Sequence, residues 1–175
     1  MKRIILILFL IFSLAVPAGA QMIVGGASES NTEVGYPTIG GSTGTASARG
    51  ITITVPAGGL TVRYGYAYVS SSASDTITMA VYQTDGTQVG TCSAASSAIG
   101  TTAGWVEVVF STPFALSAGT YVLQYHTTGG AQTVSYRYDA TGSGERYGDN
   151  ACGTLYPTNT STRVVTMSIA NYQAH

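Results

Sequence analysis

The chain has 175 residues and a formal net charge of −1 at pH 7, and only 9% of its residues are charged, against about a quarter in ordinary globular proteins. So few scattered basic residues cannot form a basic patch, which excludes nucleic acid and anionic membrane surfaces as partners. The polar surface must then consist mainly of Ser, Thr, Gly, Asn, Gln and Tyr. This composition favours glycans or copies of the same chain as partners.

Residues 1–20 have the pattern of a secretory signal peptide. The basic pair Lys2-Arg3 is followed by an apolar run over residues 4–16 and then by the small-residue cleavage motif Ala18-Gly19-Ala20. A membrane-spanning helix would need roughly 20 apolar residues, so the run is too short for an anchor. We expect cleavage after Ala20 and a secreted or periplasmic mature protein. It would have no lysine, five arginines and eight acidic residues, which is a net charge of −3.

Residues 21–48 are rich in Gly, Ser and Thr and predict a flexible N-terminal arm with one strand near residues 36–39. Residues 49–175 show period-2 alternation and predict one all-β domain. The pair Asp85-Gly86 predicts a tight hairpin, and residues 140–162 are predicted to be irregular. The predicted strands of this domain are 51–55, 60–68, 77–81, 89–92, 105–110, 121–125, 134–138 and 163–170. Short strands with Gly-rich turns and no helix predict a two-sheet, antiparallel, jelly-roll-like β-sandwich of eight or nine strands.

Three phrases in residues 51–139 resemble a loose group of bacterial and phage extracellular β-sandwich modules. Residues 77–86 end a strand in Y-Q-T-D-G, residues 104–110 read G-W-V-E-V-V-F, and residues 114–121 read F-A-L-S-A-G-T-Y. The resemblance implies a jelly roll of the kind attached to glycan-binding or tail-fibre proteins. It covers about half of the mature chain and implies no particular binding residues.

The sequence predicts neither a catalytic site nor a cofactor. The motif G-x-S-x-G occurs at residues 40–44, but that motif acts between a strand and a helix of an α/β sheet. Glu107 lies on a predicted strand, yet no second carboxylate is placed to form the pair that glycoside hydrolysis needs. His126 and His175 are the only histidines, and one embedded histidine cannot form a paired zinc site. A hydrolase is therefore the least favoured class.

Twelve tyrosines, against one tryptophan and four phenylalanines, are the most informative excess in the composition. Alternation places Tyr64, Tyr66 and Tyr68 on one strand face and Tyr136 and Tyr138 on another. Such rows either stack on sugar rings while their hydroxyls form hydrogen bonds, or pack in the core. We expect the single tryptophan, Trp105, to lie in the core.

The strand that ends at Tyr138 leads into a mixed-charge loop, which predicts a ligand site at one end of the sandwich. Rings there would contact a sugar face, and Asp and Asn side chains would bond its hydroxyls. A calcium ion held by the loop carboxylates and Asn150 is an alternative that the sequence leaves open. The predicted ligand-binding residues are Arg137, Tyr138, Asp139, Tyr147, Asp149 and Asn150.

These features predict a secreted, non-catalytic module for extracellular recognition, by glycan binding or adhesion. The alternative is a self-assembling surface or filament protein, whose Gly/Ser/Thr-rich arm adds a strand to a neighbouring copy. Binding that free sugar competes away would favour the first function, and polymers that form without ligand would favour the second.

Export and the presence of only two cysteines predict a disulfide between Cys92 and Cys152. Closing a loop of about 60 residues would stabilise the fold by about 4 kcal/mol in the chain-entropy model. Mass spectrometry of non-reduced secreted protein should show a peptide pair joined through these residues, and reduction should separate it. Alkylation of both thiols without prior reduction would mean two free thiols instead.

Overall fold

Two antiparallel sheets form the fold in our computed structural model, which describes residues 30–73, 75–89, 96–127, 134–142, 144–147 and 159–175. The predicted all-β sandwich class is confirmed. The predicted signal peptide and both cysteines lie outside the described residues. The described strands are β1 (Glu33–Tyr36), β2 (Ser42–Thr45), β3 (Ala48–Val55), β4 (Leu60–Ser71), β5 (Thr76–Gln83), β6 (Ser96–Ala98), β7 (Gly104–Leu116), β8 (Gly119–Thr127), β9 (Val134–Asp139), β10 (Glu145–Tyr147), β11 (Asn159–Ser161), β12 (Val164–Val165) and β13 (Met167–Ala170).

The larger sheet has seven strands in the order β1-β13-β4-β9-β12, with β2 paired to β9 and β7 paired to β4. The smaller sheet has the order β11-β10-β3-β8-β5-β6. Alternate residues of each strand meet between the two sheets. In β3, for example, Ile51, Ile53 and Val55 are buried in the core, whereas Thr54 is exposed. The core is mostly aliphatic and includes the rings of Tyr125 and Tyr136.

The pairing of β4 with β7 shifts register between Val62 and Tyr64. Before the shift, Leu60 and Val62 face the core, and after it Ala67 and Val69 do. The shift therefore exchanges the faces that even- and odd-numbered residues of β4 present. Gly65 then approaches the smaller sheet so closely that a Cβ atom would lie 2.7 Å from the Met79 sulfur.

The predicted Asp85-Gly86 hairpin follows β5 in the structure. Gly86 has φ 93°, a left-handed conformation that glycine adopts without strain. Its N–H donates to the Gln83 carbonyl at 3.0 Å, and the Gln83 N–H donates to the Thr87 carbonyl at 2.7 Å. The Thr87 N–H also donates to the Asp85 carboxylate, which holds the pKa of that carboxyl below its usual range.

Several strand boundaries differ from those predicted from the sequence. Residues 33–36 and 42–45, which were assigned to the arm, are β1 and β2 of the larger sheet, and β3 begins at residue 48. The stretch 140–162, predicted to be irregular, contains β10 and β11. These strands have only three or four residues, which is too short for alternation to be recognised. In the described residues, β7 pairs with β4 alone and is therefore an edge strand. Because an edge strand tolerates proline, β7 continues through Pro113.

Thr166 marks the point where the last strand of the chain passes from β9 to β4. Val165 lies opposite Tyr138 of β9, whereas Met167 lies opposite Ala67 of β4. The Thr166 side chain is fully buried; its hydroxyl donates to the Thr38 carbonyl at 3.1 Å and accepts the Gly40 N–H at 3.0 Å. This hydroxyl thereby fixes the connection between β1 and β2 onto the sheet.

We predict that Thr166→Val destabilises the fold by about 1–3 kcal/mol, because the buried Gly40 N–H loses its acceptor while the side-chain volume is retained. Urea unfolding of this variant should be compared with that of Thr54→Val, which makes the same change at an exposed position of β3. Thr54→Val should change the free energy of unfolding by less than about 0.5 kcal/mol. Equal effects of the two variants would show that the Thr166 hydroxyl does not hold this connection.

Candidate functional site

One row of tyrosines and the single tryptophan lie on the outward face of the larger sheet. After the register shift, β4 directs Ala67 and Val69 into the core. The residues that alternate with them, Tyr64, Tyr66 and Tyr68, therefore face outward. Tyr68 is opposite Trp105, Tyr66 is opposite Glu107, and Tyr64 is opposite Val109. The expectation that Trp105 lies in the core is therefore wrong. We call this surface the outer aromatic face, and it comprises Tyr64, Tyr66, Tyr68, Trp105, Glu107 and Val109.

The rings of the outer aromatic face contact one another. Tyr64 and Tyr66 have centroids 6.4 Å apart and planes inclined by 23°. Tyr68 meets Trp105 edge-on, with centroids 5.5 Å apart. Tyr64, Tyr68 and Trp105 are partly exposed, and Val109 is 51% exposed. The face therefore consists of two ring pairs with an aliphatic margin at Val109.

Residues 171–175, which we call the strap, cross over the middle of the outer aromatic face. The Ala174 N–H donates to the Tyr66 hydroxyl at 2.9 Å. The His175 imidazole lies nearly parallel to the Trp105 ring, with centroids 3.9 Å apart and planes inclined by 10°. His175 also meets Tyr66 edge-on at 5.0 Å. As a result, Tyr66 is completely buried, although it faces away from the core.

Two carboxylates flank these rings. The Tyr66 hydroxyl donates to Glu107 Oε2 at 3.1 Å, and burial raises the pKa of Tyr66, so the hydroxyl keeps its proton. On β1, which pairs with β13, Glu33 Oε1 lies 2.8 Å from His175 Nε2 and also accepts a hydrogen bond from the Ser168 hydroxyl. In the described part of the chain, His175 is the one ion-pair partner of Glu33, and Glu107 forms no ion pair. The face thus combines aromatic rings with negative charge.

A second polar cluster is buried between the sheets where β3 begins. Arg49 Nε lies 3.4 Å from Glu145 Oε1 and donates to the Tyr136 hydroxyl at 3.1 Å. The Tyr136 hydroxyl donates to Glu145 at 3.3 Å, and the Ser161 hydroxyl donates to the other carboxylate oxygen. The carboxylate is almost fully buried. This group, Arg49, Tyr136, Glu145 and Ser161, fills the end of the core.

The structure describes three of the six predicted ligand-binding residues completely. Tyr138 faces the core side of β9 and packs against Tyr136 at 5.7 Å, with the Arg163 guanidinium 4.6 Å above its ring. Arg137 and Asp139 alternate with Tyr138 and belong to the opposite face of the strand. Tyr147 is placed as the last residue of β10, while its side chain, Asp149 and Asn150 lie outside the described residues.

Asp139 is held by its own turn and by a tyrosine that the sequence did not identify. Its carboxylate accepts the Thr141 N–H at 2.9 Å, the Thr141 hydroxyl at 2.8 Å and the Tyr36 hydroxyl at 3.0 Å. These hydrogen bonds, with the Thr141 N–H as the largest contribution, lower the pKa of Asp139. Tyr36 is 103 residues away in sequence, so no local pattern could have revealed the contact.

An open cleft of about 590 Å³ lies at the other end of the sandwich, beside the turn between β3 and β4. It is lined mainly by small side chains from residues 56–61 and 115–118, with Ser30, Thr32 and Asn171. No ring and no charged side chain lines it. The outer aromatic face therefore offers more recognition chemistry than this cleft does.

Neither the models of known protein families nor the curated proteins contain a match to this chain. Within the described residues, no three His, Cys, Asp or Glu side chains gather as they would around a metal ion. The loop residues Asp149 and Asn150, considered above for calcium, are not among these residues.

We predict that Glu145→Gln destabilises the fold by about 2–3 kcal/mol. This is below the full cost of breaking a buried ion pair, because glutamine keeps one acceptor and Arg49 is partly exposed. The double variant Arg49→Met/Glu145→Leu should recover most of that loss, since it leaves no unpaired charge. Urea unfolding measures both variants. A double variant that is no more stable than Glu145→Gln would contradict the expectation that the unpaired charge is the main cost of breaking the pair.

Proposed function

We propose that this chain is a secreted, non-catalytic recognition module that binds glycans on the outer aromatic face. The observation that carries the proposal is the outward direction of Tyr64, Tyr66, Tyr68 and Trp105. A row of tyrosines that filled the core would have had no recognition role. Here the rings are on the surface side of the sheet, where Tyr64 and Tyr68 are partly exposed and the strap lies over Tyr66 and Trp105.

Flat rings and hydroxyl-rich edges suit a sugar. The apolar face of a pyranose ring packs against an aromatic plane, while its hydroxyls need hydrogen-bond acceptors and donors nearby. The carboxylates of Glu33 and Glu107 and the hydroxyl of Tyr64 supply such groups beside the rings. Each stacked ring contributes about 1 kcal/mol. One site should therefore bind weakly, and several copies on one surface would bind strongly together.

The sequence supports export of this module. Residues 1–20 have the order of a signal peptide. In the described part of the chain, the structure has no helix long and apolar enough to cross a membrane. The resemblance of residues 51–139 to extracellular β-sandwich modules supports the same proposal.

Self-assembly is the second candidate, and the edge of the larger sheet favours it. In the described residues, β7 pairs on one side only, and its residues Val109 and 111–113 are exposed. Such an edge accepts a strand from another chain unless charge or proline protects it. Pro113 protects the edge at one point, and the Ser97 hydroxyl already donates to the Glu107 carbonyl, which leaves residues 108–112 for pairing. Sedimentation velocity over a range of concentrations without ligand would reveal this assembly.

We predict that Tyr64→Ala and Tyr68→Ala each weaken glycan binding about fivefold, because each removes one stacked ring. Tyr68→Phe should bind like the wild type, since it keeps the ring. Tyr121→Ala, on the smaller sheet, is the control for losing a ring elsewhere, and circular dichroism checks its fold because this ring packs against the core. A glycan array identifies the ligand, and calorimetry then measures the affinities.

The same series separates the outer aromatic face from the site predicted at residues 137–150. If Tyr138→Ala or Tyr147→Ala abolishes binding while Tyr64→Ala and Tyr68→Ala do not, the ligand binds at the loop. If the wild type binds no glycan, the recognition proposal fails, and self-assembly becomes the leading function.

A further inference from the structure

We propose that the ligand of the outer aromatic face carries a protonated amine, and that it takes the place of His175 on Trp105 and Glu33. This inference rests on the proposed glycan-binding function and narrows it to one class of sugar. The class is an amino sugar with a free amine, as opposed to a neutral or N-acetylated sugar.

The strap shows what chemistry this surface accepts. The His175 ring covers Trp105 at 3.9 Å in a nearly parallel stack, and its Nε2 atom meets a Glu33 carboxylate oxygen at 2.8 Å. A planar group is thus held by an aromatic face, and its nitrogen is held by a carboxylate. A cationic nitrogen gains from both contacts, through the ring quadrupole of Trp105 and through a charge-assisted hydrogen bond to Glu33.

The charges around this position favour a cation. The side chain of Glu33 is only 16% exposed, and its one ionic partner in the described residues is His175. Glu107 on β7, which β13 and β4 separate from β1, accepts hydrogen bonds from the Tyr66 hydroxyl at 3.1 Å and from the Gln173 amide at 3.5 Å, and both donors are neutral. Both carboxylates are partly desolvated. In the described residues, the histidine of the strap is the one cationic side chain bound to either of them. The two carboxylates therefore favour a positively charged ligand over a neutral one.

The strap is anchored at Asn171, and the contacts beyond that residue are separate from the sheet pairing. Asn171 accepts the Thr32 N–H at 2.9 Å and donates to the Ser30 carbonyl at 3.0 Å, so the strap begins at a fixed point. Beyond it, the strap contacts the face through the Tyr172 carbonyl, which accepts from the Tyr66 hydroxyl at 3.4 Å, and through the Ala174 N–H, the Gln173 amide and the imidazole. Residues 173–175 can therefore lift while Asn171 stays in place, which exposes Trp105 and Tyr66 without disturbing β13.

Competition between strap and ligand has a measurable consequence. While the imidazole occupies Trp105, only the open fraction of the protein can bind, and the apparent affinity is reduced by that fraction. Removing the imidazole should raise the affinity, in contrast to the loss expected when a ligand-binding residue is removed. An amino sugar fits the vacated position, because its ring face can cover Trp105 while its ammonium group reaches Glu33.

The test compares a hexamer of β-1,4-linked glucosamine with the N-acetylated hexamer of the same length, by calorimetry at a pH where the amine is protonated. The free-amine hexamer should bind about five- to tenfold more tightly, the effect of one partly exposed ion pair plus one cation–π contact. Its affinity should fall with added salt, and that of the N-acetylated hexamer should not.

Variants then assign the effect to the proposed groups. His175→Ala should raise the affinity for the glucosamine hexamer about threefold or more, whereas His175→Ala/Glu33→Gln should lose both this gain and the preference over the N-acetylated hexamer. Glu33 is varied in the His175→Ala background because it also holds the strap. Asp85→Asn, which removes one carboxylate in the hairpin after the smaller sheet's β5, is the charge control and should bind like the wild type.

The outcomes separate this inference from the function on which it rests. Equal affinity for the two hexamers, or binding only to neutral glycans of the array, would overturn the amine while leaving glycan recognition intact. A lower affinity of His175→Ala would overturn the competition by the strap. Absence of binding to every glycan would overturn the recognition function itself.

Discussion

The register shift between β4 and β7 decides which side of the larger sheet carries the aromatic rings. Side chains alternate along a regular strand, and the irregular pairing here, with one residue of β4 against four of β7 between consecutive pairs, interrupts that alternation. Leu60 and Val62 enter the core before the shift, and Ala67 and Val69 enter it afterwards. Without the shift, the tyrosines of β4 would fill the space between the sheets, and the small residues would line the surface.

Scarcity of charge is the second constraint, and the tyrosines compensate for it. The part of the chain after residue 20 has no lysine, so carboxylates near the core have few cationic partners. Tyrosine hydroxyls take that place: Tyr36 donates to Asp139, Tyr66 to Glu107, and Tyr136 to Glu145. Each ring also packs as a large apolar group. Tyrosine thus supplies hydrogen-bond donors that lysine and arginine would otherwise provide. It also supplies buried apolar surface that aliphatic residues would otherwise provide.

The sequence predicted what depends on local pattern and missed what depends on distant pairing. Long alternating runs identified β3, β5 and β8, and the Asp85-Gly86 pair identified its hairpin, because both signals are contained in a few adjacent residues. Short strands such as β2 and β10 carry no such signal. The outward direction of Tyr66 depends on the register shift between β4 and β7. The alternation in the sequence of residues 60–68 continues across that shift, so the sequence gives no sign of it. The stack of His175 on Trp105 joins residues 70 positions apart, and nothing local to either residue indicates it.

The boundary between the rigid sheet and the movable strap lies between Ala170 and Asn171. Every residue of β13 is paired with β4 on one side and with β1 on the other, so this strand cannot leave without opening the sheet. The strap beyond it is held by separate contacts that can break while the sheet stays intact, which is the usual character of segments that open locally. Because Tyr66 both donates to Glu107 and accepts from Ala174, lifting the strap frees one hydroxyl acceptor on the sheet. Under the proposed competition, exposure of the aromatic face is a local equilibrium, and the free energy that closes the strap would set how much affinity a ligand loses.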